Sequence, residues 1–499
     1  MRKKQYFLAG IILTGLCLIS PVGSFAEEDD AITGQTQTME PARKIRSRID
    51  MAKKNKMELS EDGRTLLRIT EPDRKNFTIP KGVVEIGGGV FENCERLRKV
   101  TIPDTVTTIG ARSFMGCLEL KNITIPNSVV RIRSGAFCGS GIKRLILPEN
   151  ITEIPKQMCS NCSNLERVTI PEGVTSIGAR AFFACWKLQE ITIPASVTSI
   201  GAEAFSGTPL KVMPKNSVFY ADKTGVLFNK VEKKLLYAPS AIPRRYKIPD
   251  GIEEIEKGAF RHCGKSAPCI EIPASVTKIG DAAFESVGEV KLLPGNTVFK
   301  LDEKGVLIDT VQQKIIFAPP SLKDEYVVPD GILYIGGQAF KGCTELTGVK
   351  LPEGLLRIGG RAFYRSGLRH IDVPDSVTFI GGQAFSHCGN LLRCKLPENL
   401  ETMESEILCG CLKLREITIP PKVVKILTLA LEGTGVSEIF VPDNVQVIHG
   451  ARFEQCPKLT LISLPAHIPA AHVKNWNLHP RCKVVWRKKE KTDSQKQEQ

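Results

Sequence analysis

The sequence has little of what usually carries chemistry. Among 499 residues there are 3 Trp, 7 Tyr and 7 His, against 21 Phe. No H-E-x-x-H sets two imidazoles on one helical face, and no Ser stands in a G-x-S-x-G elbow. The Gly-Gly pairs do not lead into the Gly-Lys-Ser/Thr of a phosphate loop, and no second C-x-x-C sits at finger spacing from Cys159/Cys162. Past the N-terminus no apolar run approaches the roughly 20 residues that a bilayer span needs. These absences point away from an enzyme, and no cofactor or metal is expected. Hydrophobic residues at 42% and charged residues at 24% fit a folded chain and exclude a disordered or collagen-like one. Two things are abundant: 16 Cys and a net charge of +14, which would suit a polyanionic partner.

The N-terminus reads as a secretory signal. Arg2, Lys3 and Lys4 precede an apolar run from Phe7 to Ile19, followed by Ser20-Pro21 and by Ser24 and Ala26 at the −3 and −1 positions of a cleavage site. Leu16 before Cys17 does not fit a lipobox. Removal of residues 1–26 takes away three basic residues and no acidic ones, leaving +11 and 15 Cys. Residues 27–57 lack a core-forming pattern and read as a polar spacer. Residues 487–499 read as a charged, disordered tail.

Self-comparison governs what lies between, residues 58–486. Pro80, Pro103, Pro126, Pro148, Pro171 and Pro194 recur every 22 or 23 residues, and the series resumes from Pro329 through Pro465. In Leu97–Pro103, Val100 and Ile102 alternate with Thr101, the pattern of a short strand buried on one face. Pro103 ends the pairing. Val106 and Ile109 then point inward, Gly110 allows a bend, and Phe114 and Cys117 fill the far side. One such turn cannot bury its own apolar residues, so turns must stack with like positions in ladders. The fold class is a β-rich repeat solenoid with a period of about 22–23 residues and 17 proline-marked turns, on the order of 80 Å long at roughly 4.7–4.9 Å per strand. Residues 214–249 and 294–329 interrupt the period and match each other at an offset of 80, Asp222 with Asp302 and Tyr246 with Tyr326 among them. They read as two β-hairpin excursions with DKTG and DEKG turns. Leu59 starts a shorter relative (LSEDGRTLL), and residues 466–486 form an atypical C-terminal cap.

The phrases VTIPDTVTTIGARSFMGC, ITIPASVTSIGAEAF and YKIPDGIEEIEKGAF resemble the BspA-like leucine-rich repeats of bacterial surface proteins. The resemblance spans nearly the whole mature chain. It implies an exported leucine-rich-repeat solenoid associated with adhesion to host matrix proteins, other cells or host receptors, and it carries no catalytic residues. The chain departs from anchored members in having no wall-sorting segment and no terminal hydrophobic helix.

Cys94, Cys117, Cys185, Cys263, Cys343, Cys388 and Cys456 each stand three residues after the repeat Phe and read as a buried rung. Cys159/Cys162 and Cys409/Cys411 fall outside that reading, while Cys263/Cys269 and Cys388/Cys394 are disulfide candidates in an oxidising destination. His467, His472 and His479 sit in the cap and read as surface residues.

Binding is expected on the exposed strand face. There Arg98, Lys99, Lys121, Lys143, Arg144 and Arg167 form a basic stripe over four turns. The leading expectation is a secreted, periplasmic or cell-surface protein that binds a protein or host-surface ligand by distributed contact. A polyanion-binding module for glycosaminoglycan or lipopolysaccharide is the alternative, and a periplasmic scaffold a third. Nucleic acid is disfavoured because the stripe lacks aromatics for base stacking.

Overall fold

A computed structural model describes residues 42–264, 267–453 and 455–487. The expected signal segment, residues 27–41 of the expected spacer and all but the first residue of the expected tail lie outside these residues. The repeat beginning at Leu97 shows how the coil is built. Lys99–Thr101 is a strand with Lys99 and Thr101 exposed and Val100 buried, and Ile102 continues the alternation. Pro103 breaks the pairing and Val106 N–H donates to Pro103 O at 3.1 Å, closing a turn. The second strand, Thr108–Ile109, again buries its Ile. The remaining side carries Phe114, Cys117 and Leu120, all fully buried.

Stacking is parallel on every side. Strands of the first kind pair Asn76–Thr78 with Lys99–Thr101, and Arg144–Ile146 with Arg167–Thr169. Those of the second kind run Glu85–Ile86, Thr108–Ile109, Arg131–Ile132. The Phe side has no strand but is bonded rung to rung, Phe114 N to Ala136 O at 2.8 Å and Phe137 N to Met158 O at 2.9 Å. The repeat Phe rings stack with it, Phe91 on Phe114 at 5.2 Å and Phe340 on Phe363 at 5.0 Å. This is a β solenoid whose core is a set of ladders.

Gly110 has a different role from the one its position suggests. Its φ is not positive. A Cβ there would meet Gly87 C at 2.5 Å and Ile86 O at 2.6 Å, so the residue is fixed by the close approach of the neighbouring turn. The left-handed residue is two positions later, where Arg112, Arg180, Glu203 and Arg361 hold φ of 54–56°.

Each excursion contains the expected hairpin and a third strand. Phe219–Ala221 pairs antiparallel with Leu227–Asn229, which pairs antiparallel with Lys234–Tyr237, and this last strand rejoins the parallel ladder beside Glu254–Ile255. The second excursion repeats the arrangement in Phe299–Leu301, Leu307–Asp309 and Lys314–Phe317. Asp222 fastens the first turn: Oδ1 accepts from Thr224 N and Val226 N, and Oδ2 accepts from Tyr246 OH at 2.7 Å. Asp302 and Tyr326 make the same bond at 2.7 Å.

Both ends correct the sequence reading. Within the expected spacer, Ala42–Lys54 forms helix α1, and Met57 already belongs to the first strand, Met57–Leu59. The helix covers the N-terminal end of the stack with Ala52, Ile49 and Arg48. Arg48 Nε donates to Lys81 O at 3.0 Å and Nη1 to Gly63 O at 3.3 Å, satisfying turns that have no preceding rung. An Arg at the centre of the buried stripe is what hid this helix from the apolar pattern. At the other end, Arg487 closes strand Lys483–Arg487, which pairs with Leu461–Pro465. Its guanidinium lies 3.8 Å from the Phe440 ring centre and bonds Asp443 at 2.6 Å, so the expected tail does not begin there.

Candidate functional site

The rung cysteines are structural. Cys117 Sγ donates to Phe91 O at 3.1 Å, Cys185 Sγ to Cys159 O at 3.0 Å and Cys388 Sγ to Phe363 O at 3.1 Å. Each thiol thus satisfies a buried carbonyl of the preceding turn. Cys162 and Cys411, set apart in the sequence reading, make the same bond to Phe137 O at 3.0 Å and to Phe385 O at 3.2 Å. They are rung residues whose turns carry Cys159 and Leu408 in place of Phe, which removed the sequence landmark. Burial pushes the thiols up, to about 12 at Cys117 and Cys343 and about 11 at Cys388. The two disulfide candidates, Cys263/Cys269 and Cys388/Cys394, are free thiols. Cys263 and Cys388 each point their sulfur at a carbonyl of the turn before, away from any bridge.

Among the described residues no three His, Cys, Asp or Glu side chains converge to hold a metal ion. A cleft of about 370 Å³ opens beside α1, lined by Ile49, Lys53, Met57, Glu58, Ser60 and Thr70. Glu58 there is already bonded to Arg68.

The first ladder turns one face to solvent, and here the expected stripe can be placed. Arg144 and Arg167 are direct Cα partners in adjacent parallel strands, and Asn122 bridges to Arg144. Lys99 occupies the same repeat position one turn before Asn122. One residue upstream runs a second column, in which Lys143 N bonds Lys121 O at 2.9 Å and Arg98 N bonds Lys75 O at 2.7 Å. Lys75, exposed on that column, extends the stripe by a turn that the sequence reading left out. Arg98 is neutralised by Glu119 at 2.6 Å and in return holds that carboxyl below its usual range. Lys99, Lys121, Lys143, Arg144 and Arg167 have no ion-pair partner among the described residues. The same face is self-neutralised further along, with Arg245–Glu271 at 2.8 Å, Lys350–Glu325 at 3.1 Å and Arg393–Asp372 at 3.0 Å.

A third cluster was not foreseen. Arg180, Glu203, Arg261, Glu285 and Lys341 form a chain of ion pairs that runs past both excursions, with Arg180–Glu203 at 2.6 Å and Arg261–Glu285 at 2.7 Å. Burial opposes ionisation of Glu285, but Lys341 and Arg261 outweigh it and hold the carboxyl below its usual range. Beside it His262 packs against Phe183 at 6.2 Å and Trp186 at 5.8 Å. Burial, reinforced by Arg261, pushes its pKa down to about 4. The partners lie about 20 to 60 residues apart, so no local motif announces them.

Ladders of short parallel strands, a thiol rung and an open sheet face define a repeat scaffold. The family model described as the BspA type leucine-rich repeat region, in six copies, matches residues 84–211, 240–300, 314–434 and 395–474. The chain belongs to that family. It is similar to a solved leucine-rich repeat protein from Eubacterium ventriosum, at 20% identity over 74% of this chain and 88% of the other, with a TM-score of 0.39. A leucine-rich cell surface protein from Faecalibacterium prausnitzii aligns at 22% identity over 88% and 94%, TM-score 0.36. The pneumococcal vaccine antigen PcpA aligns at 17% over 86% and 82%, TM-score 0.35. The search of curated proteins gave no match.

Proposed function

We propose that this chain is an exported, non-enzymatic leucine-rich-repeat protein that mediates protein–protein or cell-surface adhesion through its solenoid surface. The observation that carries this reading is the exposed face of the first ladder. Rigid strands hold its side chains in register, and a run of cations there is left without partners. Such a face binds by area and shape, through many small contacts on a preorganised surface. The sequence signature of a secretory signal and the family membership support export. No helix among the described residues is long and apolar enough to cross a membrane. The test is protease shaving of intact cells, followed by capture of surface ligands with the mature chain. Shaving should release peptides from the repeats. Full protection of the chain on intact cells, with release only after lysis, would refute a surface role.

A further inference from the structure

The exposed face of the first ladder is not uniform. Over its N-terminal turns the position two residues before each proline is filled by Thr78, Thr101, Thr124, Thr169 and Thr192, with Ile146 the one interruption. Thr78 and Thr101 are Cα partners, as are Ile146 and Thr169, so these residues form one column along the stack. All are exposed, and none of their hydroxyls bonds to a protein group among the described residues. Two residues away on the same strands runs a column of Lys99, Asn122, Arg144 and Arg167, which Glu190 ends. Like charges placed opposite one another on adjacent strands cost stability. The register of Arg144 on Arg167 therefore works against the fold, whereas in later turns of the same face Arg245, Lys350 and Arg393 are each paired with a carboxylate.

We propose that these N-terminal turns bind a linear sulfated polysaccharide. Its anionic groups would lie along Lys99, Lys121, Lys143, Arg144 and Arg167, and its hydroxyls along the Thr101, Thr124 and Thr169 column. The inference rests on the reading that the strand face is the ligand surface, and it supplies the ligand chemistry. A repeating ligand suits a repeating surface: each rung offers about one cation and one hydroxyl every 4.7–4.9 Å. Nucleic acid is served less well, since no aromatic side chain stands in either column to stack a base. An anionic membrane is served less well too, because Ile146, 72% exposed, is the one large apolar side chain standing in either column.

The experiment uses the mature chain on immobilised heparin with a rising salt gradient. The wild-type protein should stay bound at about 0.15 M salt. The triple variant Lys99→Glu, Arg144→Glu, Arg167→Glu should wash through there, and the slope of log affinity against log salt should fall by about three. The variant Lys257→Glu, Lys300→Glu, Lys458→Glu changes net charge equally on exposed lysines away from these strands that have no ion pair among the described residues, and should elute close to wild type. Circular dichroism on each variant establishes that it is folded. The variant Thr101→Val, Thr124→Val, Thr169→Val should weaken heparin binding several-fold while leaving retention on polyphosphate unchanged. Equal elution of the two charge variants would overturn the proposal. So would single-stranded DNA, polyphosphate or anionic vesicles competing with heparin at equal charge with no effect of the threonine variant, which would mark a generic anion surface. Either result would leave the adhesion reading standing; protection of the chain on intact cells would remove that reading whatever the heparin column gave.

Discussion

Lowering the pH should loosen the middle of the solenoid before the carboxylates begin to titrate, through His262. The ring is packed against Phe183 and Trp186 beside the Arg261 guanidinium, and its pKa falls from 6.5 to about 4 because burial, then Arg261, disfavour the imidazolium. Glu203 and Glu285 act in the opposite sense but do not prevail. Above pH 6.5 the imidazole is neutral folded and unfolded, and contributes no pH dependence. Below it the unfolded chain takes up a proton that the folded site refuses, so stability falls with pH until the folded ring protonates near 4. At about 1.4 kcal/mol per pH unit the loss from this residue is about 2 kcal/mol between pH 7 and pH 5. Glu203 and Glu285 have folded pKa values below the ordinary 4.5, so the stability they contribute is lost only at more acid pH. His387 is lowered by burial and Arg365 and adds to the same window from another part of the coil. Repeat arrays unfold in segments. Urea titrations at pH 7 and pH 5 should therefore be read by tryptophan fluorescence together with hydrogen exchange of peptides spanning Arg180–His262. Wild type should lose protection there at pH 5, while His262→Gln should keep most of it. An equal loss in wild type and variant would refute the assignment of this ring.

Two further outcomes follow from the packing. In native protein at neutral pH the rung thiols Cys117, Cys263, Cys343 and Cys388 should resist iodoacetamide, since burial both shields them and holds them protonated at pKa values of about 11 to 12. Mass spectrometry after labelling with and without denaturant checks this, and rapid native labelling of these four would contradict a sealed rung. Gly359→Ala should cost about 2 kcal/mol or more, because its Cβ would meet Gly337 N at 2.5 Å and Gly336 C at 2.8 Å, both backbone of the adjacent turn. Gly354→Ala, with nothing within 4 Å, should change the urea midpoint little, and equal effects of the two would show that inter-turn contact is not what selects the glycine.

The repeat was legible because its cause is local and recurs. Strand alternation at Val100 and Ile102, the proline stop and the Phe and Cys positions are each set by the turn's own residues, and each repeats along the chain. Family membership and the solenoid followed from that regularity, and so did the position of the basic stripe, because equal spacing in sequence becomes one column in space. Two of the readings that failed lay where the repeat was disguised or absent. Cys162 and Cys411 lost their landmark Phe, and α1 hid its buried face behind Arg48.

What the sequence could not carry is which charges meet. Arg98 is neutralised by Glu119 from the next turn while Arg144 faces Arg167, and both arrangements use ordinary exposed residues. The chain from Arg180 to Lys341 and the ring of His262 among Phe183, Trp186 and Arg261 exist only because two excursions leave the stack and return to it. Periodicity by itself determined the ladders, since a ladder needs only that like positions recur. The tertiary structure decided the electrostatics, because pairing and desolvation depend on distances between turns that no single turn encodes.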